Sequence, residues 1–309
     1  MNPPQPFRRA ANTLTTLLAC AVLPLILVGA GVTSKDAGMI FPDWPTSDGH
    51  LLNPPGWWQV DAKLWEHGHR LLGWVVGMLA IGSAVACRKG SSSQRVASLL
   101  ALVAIVVQGV LGGMRVWEVS TLLAMLHGIW GQACFCLACV AALLTTRGWV
   151  EHREAIEAQG VVTLRRGCVV AFVCTLLQLV VGAAYRHFGH SYALVGHLVW
   201  AVVVICVLGW LAMWIMEQYS TQPLFPALGM GLAALVGLQM LLGGLALLVV
   251  MMGPQGSAFM KWAAPSAHVL VGALLLACVL LLTLCSHKLL RPPVSQEAPR
   301  SAALGIEVR

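Results

Sequence analysis

The chain has 309 residues, of which 58% are hydrophobic and 10% charged. A soluble domain carries about 25% charged residues, so the composition excludes a soluble globular protein. The formal net charge of +7 invites a nucleic-acid role, but the placement of the basic residues assigns them to membrane topology instead.

Apolar runs long enough to cross a bilayer recur along the whole chain. They predict eight spanning helices, at 14–32, 70–87, 97–114, 122–144, 167–185, 193–214, 226–250 and 265–285. The first follows Arg8 and Arg9, as a signal peptide would. It is long for a signal core and ends in the glycine pattern of later spans, so it is read as a retained helix. With the N-terminus inside, one side of the membrane receives Arg8, Arg9, Arg88, Lys89, Arg95, Arg147, Arg153, Arg165, Arg166, Lys288, Arg291, Arg300 and Arg309. The other receives Lys35, Lys63, Arg70, Arg115, Arg186 and Lys261. Positive charge favours the cytoplasmic face. The expectation is a multi-pass protein of the inner (cytoplasmic) membrane with both termini cytoplasmic, embedded in lipid and binding no nucleic acid.

The stretch from about 145 to 166 is the one long charged connector between spans. It predicts two halves, 1–158 and 159–309. Each contributes an even number of spans, so both enter the membrane in the same orientation. The expected fold is an all-α integral membrane protein of eight transmembrane helices, arranged as two similar four-helix bundles.

A fourfold echo supports that division. The third span ends in QGVLGG (108–113), the fifth in QLVVGA (178–183), the seventh contains QMLLGG (239–244), and the first has LILVGA (25–30), with Leu25 in place of glutamine. Small residues there let a neighbouring helix or a flat ligand approach the backbone. Each even span then opens on a histidine, His69, His127, His197 or His268, followed four residues later by Gly73, Gly131, Ala201 or Gly272 on the same helix face.

A lone histidine on a membrane helix is often a hydrogen-bonding link between helices. Four in register at one depth suit another use, because neutral imidazole ligates heme iron. Facing helices across a bundle would each supply one ligand, pairing His69 with His127 and His197 with His268. His67 points away from His69, His187 and His190 fall in the loop RHFGHSYA as solvated residues, and His50, His152 and His287 look like ordinary loop or terminal residues. All ten cysteines lie in or at the ends of spans. Cys134, Cys136 and Cys139 resemble a ligand cluster, but small apolar packing is the simpler reading.

Glu66 stands three residues before His69 and so shares its face. A carboxylate there can accept a proton or hold a water at the heme edge. The plainer alternative is a solvated i,i+4 ion pair with Arg70. No other histidine helix has an acid at that place, which predicts chemistry in the first half and a carrier or structural heme in the second. Arg70 is as able to pair with a heme propionate as with Glu66. The first outer loop, Thr33 to Trp65, contains IFPDWPTSDGHLLNPPGWW; its proline and tryptophan content suits a stiff lid, or an interfacial aromatic belt.

GAGVTSKDAGMIFPDWP (29–45), Glu66-x-x-His69-Arg70, and then His127, His197 and His268 on alternate spans together resemble the heme A synthase family, over about residues 14 to 285. The resemblance implies oxidation of the C8 methyl of heme O, the substrate, to the formyl group of heme A for terminal oxidases, by successive hydroxylations and loss of water. It implies that Glu66 is the catalytic acid, that His69 and His127 flank the substrate heme, and that His197 and His268 ligate a resident heme b. Heme O synthase and terminal oxidase subunits are the implied partners, alongside an electron donor that the sequence does not name. Some members carry a cysteine pair in the first outer loop. This sequence has none between Cys20 and Cys87 and resembles the bacterial type lacking it.

Two rivals differ in class. A di-heme b-type electron carrier, or a heme-holding oxidase assembly factor, would use the histidines without chemistry, but neither requires Glu66. A transporter would show polar or broken helices near mid-membrane, whereas the mid-span residues are almost uniformly apolar.

Overall fold

The computed structural model describes residues 7–151, 154–222 and 224–293. His152, Arg153, Arg300 and Arg309, which enter the arguments above, lie outside the described residues. Eight long helices are present: α1 (Arg9–Ser34), α2 (Asp61–Cys87), α3 (Ser92–Trp117), α4 (Thr121–Thr145), α6 (Val161–Phe188), α7 (Ser191–Gln218), α8 (Leu224–Met252) and α9 (Ala258–Leu289), with a single-turn α5 (Arg147–Glu151) in the connector. Each long helix has 25 to 32 residues. At about 1.5 Å per residue this exceeds the roughly 30 Å hydrocarbon core of a bilayer. Large apolar side chains face outward on helix after helix, among them Met78, Val106, Val202 and Leu241, as a lipid-facing surface requires. The chain is an all-helical integral membrane protein.

Several helices run past the predicted apolar spans because polar turns at their ends are helical too. α2 starts at Asp61 rather than 70, so Glu66, His67, His69 and Arg70 are helical residues. His69, His127, His197 and His268 therefore do not open their helices but lie roughly two to three turns inside them. Local chemistry explains several boundaries. Ser91 and Gln94 form a reciprocal capping box at the start of α3. Ser120 accepts from the Leu123 amide at the start of α4. Gly160 and Gly189, at φ 72° and 71°, bracket α6 in the left-handed region that glycine tolerates. Apart from a bridge between Ser47 and His50, the strand content among the described residues is one parallel pair, β1 (Ile156–Glu157) on β2 (Leu290–Arg291). It ties the connector to the end of α9, reinforced by Arg165 donating to the Leu290 carbonyl at 2.8 Å.

Successive helices pack as antiparallel neighbours: α1 on α2, α3 on α4, α6 on α7 and α8 on α9. Contacts of α1 with α4 and α2 with α3 close the first quartet, and those of α7 with α8 and α6 with α9 close the second. The quartets meet where α1, α4, α6 and α9 touch. One core, including Leu164, Leu208, Leu211, Leu232 and Val279, lies within the second quartet. Another joins Leu18, Val76, Ala80, Ala101 and Phe135 of the first to Ala273 and Leu276 of α9. Residues 35–60, between α1 and α2, fold over one end of the bundle, and all four histidines lie toward that end.

Candidate heme sites at the long-loop end

The glycine of each odd-numbered echo seats the imidazole of the next histidine helix. A methyl group added at Gly29 would stand 2.7 Å from Cε1 of His69, at Gly112 3.1 Å from Cε1 of His127, at Gly182 2.7 Å from Cε1 of His197, and at Gly243 3.0 Å from Cε1 of His268. No side chain larger than hydrogen fits there without moving the ring. The notch thus receives the histidine itself, while Gly113 beside it lies under the Trp44 indole of the long loop, where a Cβ would be 2.6 Å from Cδ2, and Gly31 lies under Trp65 of α2. Gly73, four residues after His69, has open space beside it, so the notch on the histidine's own helix is not filled by protein there.

Seated in this way, the histidines pair. The His69 and His127 ring centres are 6.3 Å apart with planes at 78°, and those of His197 and His268 are 6.1 Å apart at 79°. Nδ1 of all four is buried without a hydrogen-bond partner. Two imidazoles ligating one metal from opposite sides, through bonds of about 2.0 Å, bring their ring centres to about 6 Å. Among the described residues no group of three or more histidine, cysteine or acidic side chains comes together. Two opposed imidazoles therefore suit a metal whose remaining ligands come from a tetrapyrrole, and the residues fit heme. Cys134 and Cys136 are buried, Cys139 is partly so, and all ten cysteines are free thiols; Cys134 donates to the Ala104 carbonyl, as a packing residue does.

The repeated glutamines carry a role that the sequence reading left unassigned. Gln108 donates from Nε2 to the His127 carbonyl at 2.9 Å, and Gln178 to the His197 carbonyl at 3.0 Å. In the second quartet glutamine amides also lie beside the rings, Gln178 at 3.3 Å from His197 Nε2 and Gln239 at 3.3 Å from His268 Nε2. The first quartet has Leu25 at the corresponding place beside His69. The threefold Gln-x-x-x-Gly spacing was the available signal.

Glu66 and Arg70 form an ion pair of 2.5 Å, with only 5% and 10% of their side chains exposed. The solvated pair anticipated from the sequence is therefore buried. One Glu66 oxygen holds Arg70; the other accepts from the amides of Ile40 at 2.7 Å and Phe41 at 3.2 Å. Arg70 also donates to the carbonyls of Asp43, Thr46 and Phe41. Both Nη atoms of its guanidinium are thus committed to Glu66 and the loop backbone. His67 is buried too, joined to Ser47 Oγ at 2.9 Å and the Leu52 carbonyl at 3.0 Å, with Trp57 packed edge-on at 4.8 Å. Three residues of one helical turn thus fasten residues 40–52 over the end of the first quartet.

Asp43 is the internal clasp of that loop. Its carboxylate accepts from Thr46 Oγ1 at 2.5 Å and from the amides of Asp48 and Gly49, both at 2.9 Å. Burial works to raise its pKa, but these donors outweigh burial and bring it down to about 2.

His187 is a helical residue of α6 rather than a solvated loop residue. It crosses to the first quartet, where its Nε2 lies 3.6 Å from the Cβ position of Gly128, next to His127. His190 stacks between Phe188 and Tyr192. Arg186 spans the quartets as well, donating to the Ala30 carbonyl at 2.7 Å and Ser34 Oγ at 2.8 Å.

No family model matches the chain. A protein named heme A synthase from Exiguobacterium sibiricum is 29% identical over 61% of this chain and 63% of its own length. A second of that name, from another Exiguobacterium, is 26% identical over 56% of each chain. A third, from Caulobacter, is 29% identical over 41% of this chain and 38% of its own. These matches support the heme A synthase family. They span less than two thirds of the length of each of these relatives.

Proposed function

We propose that the chain is a heme A synthase that oxidises the C8 methyl of heme O to the formyl group of heme A. The observation that carries this reading is the arrangement of four histidines as two opposed pairs, each ring seated on a glycine, with Glu66 one turn from His69 in one pair only.

The first quartet, residues 1–158, is assigned to the substrate, with His69 and His127 flanking heme O. The second, residues 159–309, is assigned to a resident heme b between His197 and His268. A bound heme b supplies one-electron transfer. The Gln178 and Gln239 amides orient the ligand rings by holding backbone or ring atoms beside them. On the substrate side Glu66 is the carboxylate able to accept a proton released as the methyl is oxidised, with the oxidant and the formyl oxygen supplied from outside the chain. Its carboxylate is held by two loop amides and Arg70, so it is preorganised, and the loop above it excludes bulk water. The chain sits in the cell membrane with both termini cytoplasmic, which places the histidine pairs and the long loop toward the outer side. Heme O synthase and terminal oxidase subunits are its expected neighbours.

The test compares wild type with Glu66→Gln in membranes supplied with heme O. Glutamine can still accept from Ile40 and Phe41 but carries no charge. Both proteins are expected to retain heme b, and only wild type to form heme A. Normal heme A formation by the variant would remove Glu66 from the chemistry. Bound heme without conversion in wild type would favour an electron carrier or a heme-holding assembly factor.

A further inference from the structure

Of the cations that the first quartet places at its long-loop end, Lys35, Lys63 and Arg70 each have a carboxylate in an ion pair and Arg115 does not, among the described residues. Asp61 holds Lys35, Asp48 holds Lys63, and the buried Glu66 holds Arg70 at 2.5 Å. Arg115, near the end of α3, is the second guanidinium. It stands three residues after Gly112, the glycine that seats the His127 ring, and so shares that face of α3. Among the described residues it forms no ion pair, and its hydrogen bond is a 3.5 Å one from Nη2 to the Gly38 carbonyl. A guanidinium that is largely withdrawn from water within a membrane bundle is costly and calls for an anion. Beside it stands His187, reaching over from α6 to Gly128. Arg115 thus stands between the loop and the His127 seat, and His187 lies against Gly128 beside His127.

The anion chemistry follows from the ligand. A tetrapyrrole held between two imidazoles carries carboxylate side chains at its rim, and a planar guanidinium fork matches a carboxylate in shape and charge. We propose that Arg115, assisted by His187, binds a rim propionate of the heme held between His69 and His127, a role for which Arg70 was the expected candidate. This rests on the heme reading of that pair. It makes the first site depend on a residue of the second quartet, and it fixes which edge of the heme faces the long loop, hence which methyl lies near Glu66.

The test uses the full chain with His197→Ala, which leaves the His69–His127 pair as the remaining site, titrated with protoheme and with its dimethyl ester. Protoheme should bind at least about tenfold more tightly than the ester. Arg115→Gln should erase that preference while leaving ester affinity unchanged, which also shows that the variant folds. His187→Ala should reduce the preference about threefold. Equal binding of the two hemes with Arg115 intact, or a preference that survives Arg115→Gln, would overturn the assignment and leave the heme reading standing. If neither heme binds, the heme reading of this pair fails and the assignment falls with it.

Discussion

Glu66 and Arg70, one turn apart on α2, form a buried ion pair whose further hydrogen bonds go to the backbone of residues 40–46. The loop therefore leans on the same carboxylate that the proposed chemistry needs, and loop closure and Glu66 placement are one structural event.

Arg70→Ala should expose that coupling. Removing one partner of a buried pair typically costs about 3–5 kcal/mol, and three loop carbonyls lose their donor. Amide hydrogen exchange across residues 38–50 is expected to accelerate by at least tenfold, with little change in α6–α9. Unchanged exchange in the loop would mean that Arg70 does not fasten it.

The glycine seats predict a paired contrast. Gly182→Ala places a methyl 2.7 Å from the His197 ring, whereas Gly244→Ala enters open space. Heme b per protein, read by pyridine hemochrome absorbance, should fall several-fold for the first and stay near wild type for the second. Equal heme content would contradict the seat.

His197→Ala and His268→Ala should each lower resident heme b sharply, while His69→Ala should leave most of it in place. Loss of heme b on changing His69 alone would contradict the division of labour between the quartets.

Asp43 gives a pH signature. Its folded carboxyl titrates at about 2, below the ordinary value of about 3.9. The clasp therefore stabilises the loop fully above about pH 4 and loses that contribution as pH falls toward 2. Proteolysis of the loop by an acid-active protease should quicken over that window, and Asp43→Asn should flatten the dependence. A variant that keeps the wild-type profile would contradict it.

The eight helices were legible in the sequence because an apolar run of bilayer length has few other uses, and the fourfold glycine–histidine echo predicted the pairs His69–His127 and His197–His268, which the ring distances bring together. Helix starts were not legible: α2 begins with polar turns that a hydropathy scale ignores, so EHGHR read as a boundary when it lies inside the helix. The burial of Glu66, Arg70 and His67 was hidden as well, since it depends on amides and carbonyls of residues 40–52, which carry no side-chain signature. The crossing of His187 to Gly128 depends on how the quartets dock, which no local pattern encodes.

The most direct measurement is chromatography with mass detection of hemes extracted from cells that lack heme A synthesis and express this chain together with a heme O synthase. The account predicts a heme of the formyl mass, or its hydroxymethyl precursor, appearing only when the chain is present. Heme O recovered unchanged, alongside folded chain that retains heme b, would contradict it.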